Sequence, residues 1–245
     1  MTGRVQHVVI DAPERRNALS LSVLDSLTTA FTTLACDVTG VVLHGNGDVF
    51  SAGADFREIT GTTDDVGYDE AVAAASRAIR AAPVAVVAAL EGPCLGAAAD
   101  LALSCDLRVA AEGSYLQVPA VRLGLLYNPE SLGRLCDAYP RDAVRRLLLL
   151  GERFDHDSAR AAGLVSQVVA KGTAVATAEA LLGATTTEHL AAVAATKAVL
   201  NSHDAGTFDP VEWQSSRLAL LGSPERASAV ARARSKHLTK EGQHE

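Results

Sequence analysis

Residues 92–106 read GPCLGAAADLALSCD, and Asp100 stands there among alanines, a glycine and a short apolar run. A carboxylate in such company can give or take a proton at a reacting carbon. It can also do no more than complement the dipole of a helix whose first turn it occupies. Taken by itself, the dipole role is the commoner one. VVAALEGPCLGAAADL (86–101) is an apolar strand, a small-residue loop and then a helix, and VVLHGNGDVFSAGADF (41–56) has the same form. Small residues let backbone N–H groups approach a ligand closely. A helix that starts straight afterwards aims its unpaired N–H groups and positive dipole end at the same place. Two such loops can present two N–H donors to one developing oxyanion. The glycines at 45–53 do not make a nucleotide fingerprint, because Phe50 stands where that motif needs glycine and no Lys-Ser/Thr pair follows.

VFSAGADFREI, followed about forty residues later by PVAVVAALEGPCLGAAADLALSCDLRVAAEGSYLQVP, resembles the crotonase (enoyl-CoA hydratase/isomerase) superfamily. PERRNAL near the start and DSARAAGLVSQVV at 157–169 extend the resemblance over nearly the whole chain, in the family's order. It implies an α/β fold, a crotonase-like spiral of repeated ββα units with a helical C-terminal trimerisation region. An acyl-CoA-binding core would span 1–185 and the C-terminal helical region 186–245. The resemblance further implies that the backbone N–H groups of Ala54 and Ala97 form an oxyanion hole for a thioester carbonyl. Arg15, Arg16 and Ala18 would border the CoA nucleotide, and Ala52, Asp55 and Phe56 would lie along the acyl-CoA path. Lys236 resembles part of a basic cluster near CoA. The substrate would be an acyl- or enoyl-CoA, with no separate cofactor and no metal, and the assembly a homotrimer or a dimer of trimers.

Family hydratases divide water activation and proton delivery between two glutamates. Asp100 occupies the first position, three residues after Ala97 and therefore on the same helix face. It is one methylene shorter than glutamate, a loss of about 1.5 Å of reach, and misplacement on that scale costs on the order of 100-fold in rate. Ala120 occupies the second position, so one of the two carboxylates is absent. Tyr127, Asn128 and Glu130 in GLLYNPESLGRL are nearby replacements, and the Tyr-Asn pair resembles that of a decarboxylase relative. Taken alone, Tyr127 reads equally well as a half-buried aromatic, whereas Glu130 reads first as a first-turn acid and Asn128 before Pro129 first as a turn residue. Three functions follow. The first is a hydratase or isomerase using Asp100, with isomerase suiting a lone carboxylate better. The second is a decarboxylase-like enzyme using Tyr127, and the third a protein that binds acyl-CoA without turning it over.

The elements that must position these residues are legible in outline. Strands are expected at 4–10, 40–45, 84–90, 106–111 and 164–169. Helices are expected from Ser20, over 66–81 and from Gly96, then over 187–202, 207–221 and 224–237, with 118–129 irregular. Strands alternating with helices, then helices alone, describe an α/β core with a helical C-terminal part. Of the 245 residues 48% are hydrophobic and 21% charged, enough to bury a substantial core and to exclude disorder. The formal net charge of −7, with no basic block, argues against nucleic acid or an anionic membrane as partner. Cys36, Cys94, Cys105 and Cys136 form no CxxC pair and no zinc spacing, and there is no HxxxH. With no signal peptide evident, they read as reduced, mostly buried thiols of a cytoplasmic protein. The longest apolar runs, such as VAVVAAL at 84–90, are too short to span a bilayer.

Overall fold

A computed structural model describes residues 3–241, with the side chains of 236–241 excepted. The chain opens with β1 (Arg4–Ile10), α1 (Leu21–Thr32) and β2 (Val38–Gly45). Ser20 caps α1, its hydroxyl accepting from the Val23 amide at 3.3 Å. Next come α2 (Val66–Ala81), β3 (Ala85–Leu90), β4 (Pro93–Leu95), α3 (Ala97–Ser104), β5 (Leu107–Ala111) and β6 (Tyr115–Gln117). They are followed by α4 (Pro129–Ala138), α5 (Arg141–Leu149), β7 (Phe154–Asp155), α6 (His156–Ala161), β8 (Gln167–Val169) and α7 (Ala174–Leu182). Helices α8 (Leu190–Asp204), α9 (Gln214–Leu221) and α10 (Pro224–Glu241) complete the described chain.

Five strands form a parallel sheet in the order β1-β2-β3-β5-β8. Three short strands form a second sheet, β4-β6-β7, with β4 and β6 parallel and β6 and β7 antiparallel. The path β3–β4–α3 followed by β5–β6 steps from one sheet to the other, which is the repeated ββα spiral. The strand at 85–90 is buried almost throughout because helices cover both faces of the parallel sheet. On one face α7 packs Ala174, Ala178 and Leu182 against Val42, Val87 and Val109. On the other, Leu24, Phe31, Val72, Ile79 and Leu101 of α1, α2 and α3 meet Val41, Leu43 and Val86. Each large apolar side chain buried in this way contributes about 1.5–3 kcal/mol.

The structure departs from the sequence expectation in several places. The expected strand at 164–169 shrinks to Gln167–Val169 because the Leu164 and Val165 amides instead close α6, both donating to the Ala159 carbonyl. The expected helix at 207–221 begins only at Gln214; Pro210 lacks an amide and disfavours helix before it, so the chain turns there. Cys36 and Cys136 are exposed, one in the α1–β2 turn and one on α4, while Cys94 and Cys105 are buried. Helix α8 is tied to the body by the buried Lys197 ammonium, which donates to the Ile79 and Val84 carbonyls and to Asp106 at 2.8 Å. Among the described residues no helix is long and apolar enough to cross a membrane. None of their His, Cys, Asp and Glu side chains form a group of three or more placed to hold a metal ion.

Candidate active site

The two small-residue loops lie against each other. The Ser51 amide donates to the Pro93 carbonyl and the Leu95 amide to the Ser51 carbonyl, both at 3.1 Å. Gly53 sits at the closest approach with φ of 86°, where a Cβ would come within 2.5 Å of the Leu95 carbonyl oxygen. The same Cβ would lie 3.6 Å from the Ala97 nitrogen, so the start of α3 borders this contact. Only glycine satisfies both the backbone conformation and the space.

The amides of this loop are nearly all consumed. Ser51 donates to Pro93, Ala52 to the Arg16 carbonyl, Gly53 to the Ser51 hydroxyl and Asp55 to the Leu19 carbonyl. The Ala54 N–H, in the middle of that run, has no acceptor among the described residues. At the start of α3, Gly96 donates to the Gln117 carbonyl, while Ala97 and Ala98 have no acceptor among the described residues. Ala98 is fully buried and Ala97 is partly exposed, so Ala97 is the donor a ligand can reach. Two unpaired N–H groups from adjoining loops, one at a helix N-terminus, suit a carbonyl oxygen that gains negative charge.

Asn17 holds the first loop in place. It is fully buried, with φ of 57°. Its side-chain amide donates to the Asn46 and Val49 carbonyls and its oxygen accepts from the Ala12 amide. Sequence reasoning singled out its neighbours Arg15, Arg16 and Ala18 and passed over it. The available signal was its type, since asparagine tolerates the left-handed region and can satisfy several backbone groups at once.

The Asp100 carboxylate is 1% exposed and accepts from three side chains. The Ser76 hydroxyl of α2 donates at 3.0 Å, the Ser131 hydroxyl of α4 at 2.7 Å, and the Arg134 guanidinium of α4 forms a buried ion pair with it. Asp100 thus joins α2, α3 and α4. The Tyr127 hydroxyl donates to the Gly96 carbonyl at 3.4 Å, next to Ala97. Burial, reinforced by the Asp100 charge, pushes the Tyr127 pKa well above the usual tyrosine value, so its proton is retained.

Asn128 caps α4, its oxygen accepting from the Glu130 and Ser131 amides, and its amide donates to Asp69 of α2 at 2.8 Å. Glu130 faces outward in an exposed ion pair with Arg77 and does not meet Asp100 or Tyr127. Ala120 is buried in a single 3-10 turn and brings no polar group.

On the other side of the first loop, Asp55 is buried and held by two arginines. Arg57 donates to both its oxygens, at 3.0 and 2.6 Å, and Arg15 to one at 3.1 Å. The bonds from Arg57 hold the Asp55 carboxyl far below the usual carboxylate range, despite the opposing effect of burial. Arg16 is exposed and has no ion-pair partner among the described residues. Ala18 is buried, Ala52 is partly exposed, and Phe56 projects from the loop, 65% exposed. The side chain of Lys236 lies outside the described residues. A separate cavity of about 720 Å³ lies among α8, α9 and α10, lined by Ala192, Val199, Phe208, Trp213 and Leu220, and includes none of the loop residues above.

The model of the enoyl-CoA hydratase/isomerase family matches residues 2–210. The chain belongs to this family. A probable enoyl-CoA hydratase of Mycobacterium leprae is 32% identical over 184 residues, 73% of each chain. The mitochondrial enoyl-CoA hydratase domain-containing protein 3 of Rattus norvegicus is 34% identical over 172 residues, 67% of this chain and 56% of that one. Among solved structures, an enoyl-CoA hydratase/isomerase family protein from Hyphomonas neptunium superposes with a TM-score of 0.86 at 31% identity, covering 96% of this chain and 93% of that one. The crotonase fold implied by the resemblance is therefore the fold of this chain, and it is an enzyme of the hydratase/isomerase family. Within that family pattern, the carboxylate at the Asp100 position is tied up by its own helices, and the position at Ala120 is apolar.

Proposed function

We propose that the chain binds an acyl-CoA thioester and stabilises its enolate, with the carbonyl oxygen received by the N–H groups of Ala54 and Ala97. The observation that carries this reading is the single unpaired amide in the run 51–55, placed beside the unpaired amide that opens α3. Every other donor in the run is spent on holding the loop, which leaves Ala54 there and the partly exposed Ala97 at the start of α3 for a ligand. Arg16, with Arg15 and Arg57 beside it, supplies local positive charge for the CoA phosphates on a protein of net charge −7. The assembly is a homotrimer or dimer of trimers in this reading.

Removing a proton next to a thioester carbonyl leaves charge on the oxygen, and two preorganised donors lower the barrier for that step. Double-bond isomerisation suits the site better than hydration, because it moves one proton between carbons and needs one acid/base group. Asp100 was the group expected for that task. Its three donors and its burial instead suit a fixed charge that sets the position of α3. A second reading is favoured by the Tyr127 hydroxyl at the Gly96 carbonyl: decarboxylation of a malonyl-type thioester, with Tyr127 giving its proton to the enolate left by CO₂.

The test is calorimetric titration with butanoyl-CoA, followed by assays with 3-hexenoyl-CoA, crotonyl-CoA and methylmalonyl-CoA. Binding with conversion of the 3-enoyl to the 2-enoyl thioester is the expected result. CO₂ release without isomerisation would establish the second reading. Failure to bind any thioester would overturn both.

A further inference from the structure

The isomerisation reading needs a carboxylate able to exchange a proton, and Asp100 has no free oxygen to do it with. Asp69, in the first turn of α2, differs in this respect. It lies two helical turns before Ser76, so the two residues share one face of α2. Ser76 reaches Asp100 from that face, and Asp69 reaches Asn128. Asn128 is adjacent in the chain to Tyr127, whose hydroxyl meets the carbonyl of the residue before Ala97. Two hydrogen bonds thus connect Asp69 to the start of α3.

One Asp69 oxygen accepts from the Asn128 amide at 2.8 Å, and the other has no partner among the described residues. We propose that Asp69 is the group that exchanges a proton with the bound thioester. The proposal rests on the acyl-CoA reading above. In the forward step the carboxylate takes the α-proton of a 3-enoyl thioester. The C–H pair becomes the enolate double bond, and the charge passes to the oxygen held by Ala54 and Ala97. The carboxylic acid then returns the same proton to the γ-carbon, the double bond moves to the 2-position, and Asp69 is again a carboxylate. No oxidant, reductant or water is consumed.

The surroundings fit a base of increased strength. Burial raises the Asp69 pKa above the usual carboxylate value, with smaller contributions in the same direction from Glu70 on its own helix and Asp100 on α3. The Asn128 amide opposes them by bonding the ionised form. The neighbouring Tyr127 stays protonated, and the Arg134 charge is already committed to Asp100. Sequence reasoning missed Asp69 because an acid in a first turn has an ordinary structural explanation, and the partner that marks it is 59 residues away.

The experiment compares wild type with Asp69→Asn and Asp69→Glu for three properties. These are butanoyl-CoA affinity, exchange of the butanoyl α-protons with D₂O by NMR, and isomerisation of 3-hexenoyl-CoA across pH. Asp69→Asn should bind within a few-fold of wild type while losing exchange and kcat by on the order of 100-fold or more. Asp69→Glu should recover part of the loss, with its acidic limb at a different pH. Wild-type binding without exchange or turnover would overturn the role of Asp69 while leaving thioester binding intact. So would undiminished exchange in Asp69→Asn. If no thioester binds, the acyl-CoA reading itself falls.

Discussion

Two carboxylates face the seam between α2 and its neighbours, and they are treated differently. Asp100 has three donors on its two oxygens, including a buried guanidinium, and is closed to solvent. Asp69 has one donor, no ion pair among the described residues and partial exposure. A buried charge held by three protein donors, one of them a guanidinium, is fixed in place, and moving a proton onto it would strand its partners. A charge left short of partners in a desolvated place is costly to the fold and available to a ligand. On the proposal above, position falls to Asp100 and reactivity to Asp69, the reverse of what the α3 motif suggests by itself.

The largest effect that can break this comparison comes from Asp100→Asn. It leaves Arg134 charged, buried and unpaired, and removal of one partner from a buried pair costs about 3–5 kcal/mol. Denaturant melts should show that loss through the midpoint, with turnover per folded molecule falling less than in Asp69→Asn. Loss of turnover at unchanged stability would return the acid/base role to Asp100.

The opposite sign is expected at Asp69. Burial raises its folded-state pKa above the unfolded value, so between the two values the folded chain binds more protons than the unfolded one. Its contribution to stability is therefore present below the unfolded pKa and is lost as pH rises through the folded one. Asp69→Asn removes that loss and keeps an oxygen to accept from Asn128. At pH 7 the variant should melt higher than wild type, and the gap should close as pH falls below the ordinary aspartate range. A lower melting temperature at pH 7 would mean that the ionised carboxylate is stabilised after all, and the contrast with Asp100 would disappear.

The parts of this arrangement were unequally visible in the sequence. Helix α2 was expected at its observed bounds, because the stretch is alanine-rich and Pro83 stops it. Ser20, the buried strand before Gly92 and the paired small-residue loops were legible for equally local reasons. The second sheet was not, because β4, β6 and β7 have two or three residues each, too few to show a period. Neither was the exchange of roles at the seam. The motif marks Asp100, but Ser76, Ser131 and Arg134 reach it from 24 to 34 residues away. Asn17 and Asp69 gain their importance from similar long-range contacts, with Val49 and Asn128.

The smallest effect is expected from the third carboxylate on the same seam. Glu130 pairs with Arg77 across α2 and α4, much as Asp100 pairs with Arg134 across α3 and α4, but the Arg77 and Glu130 side chains are each about half exposed (49% and 48%). Water screens that pair, and the cost of ordering two long side chains offsets most of its attraction. Glu130→Gln should therefore shift stability by no more than a few tenths of a kcal/mol. The shift should vanish in high salt, where the loss in Asp100→Asn persists. A salt-insensitive loss above about 1 kcal/mol would show that burial is not what separates the three carboxylates.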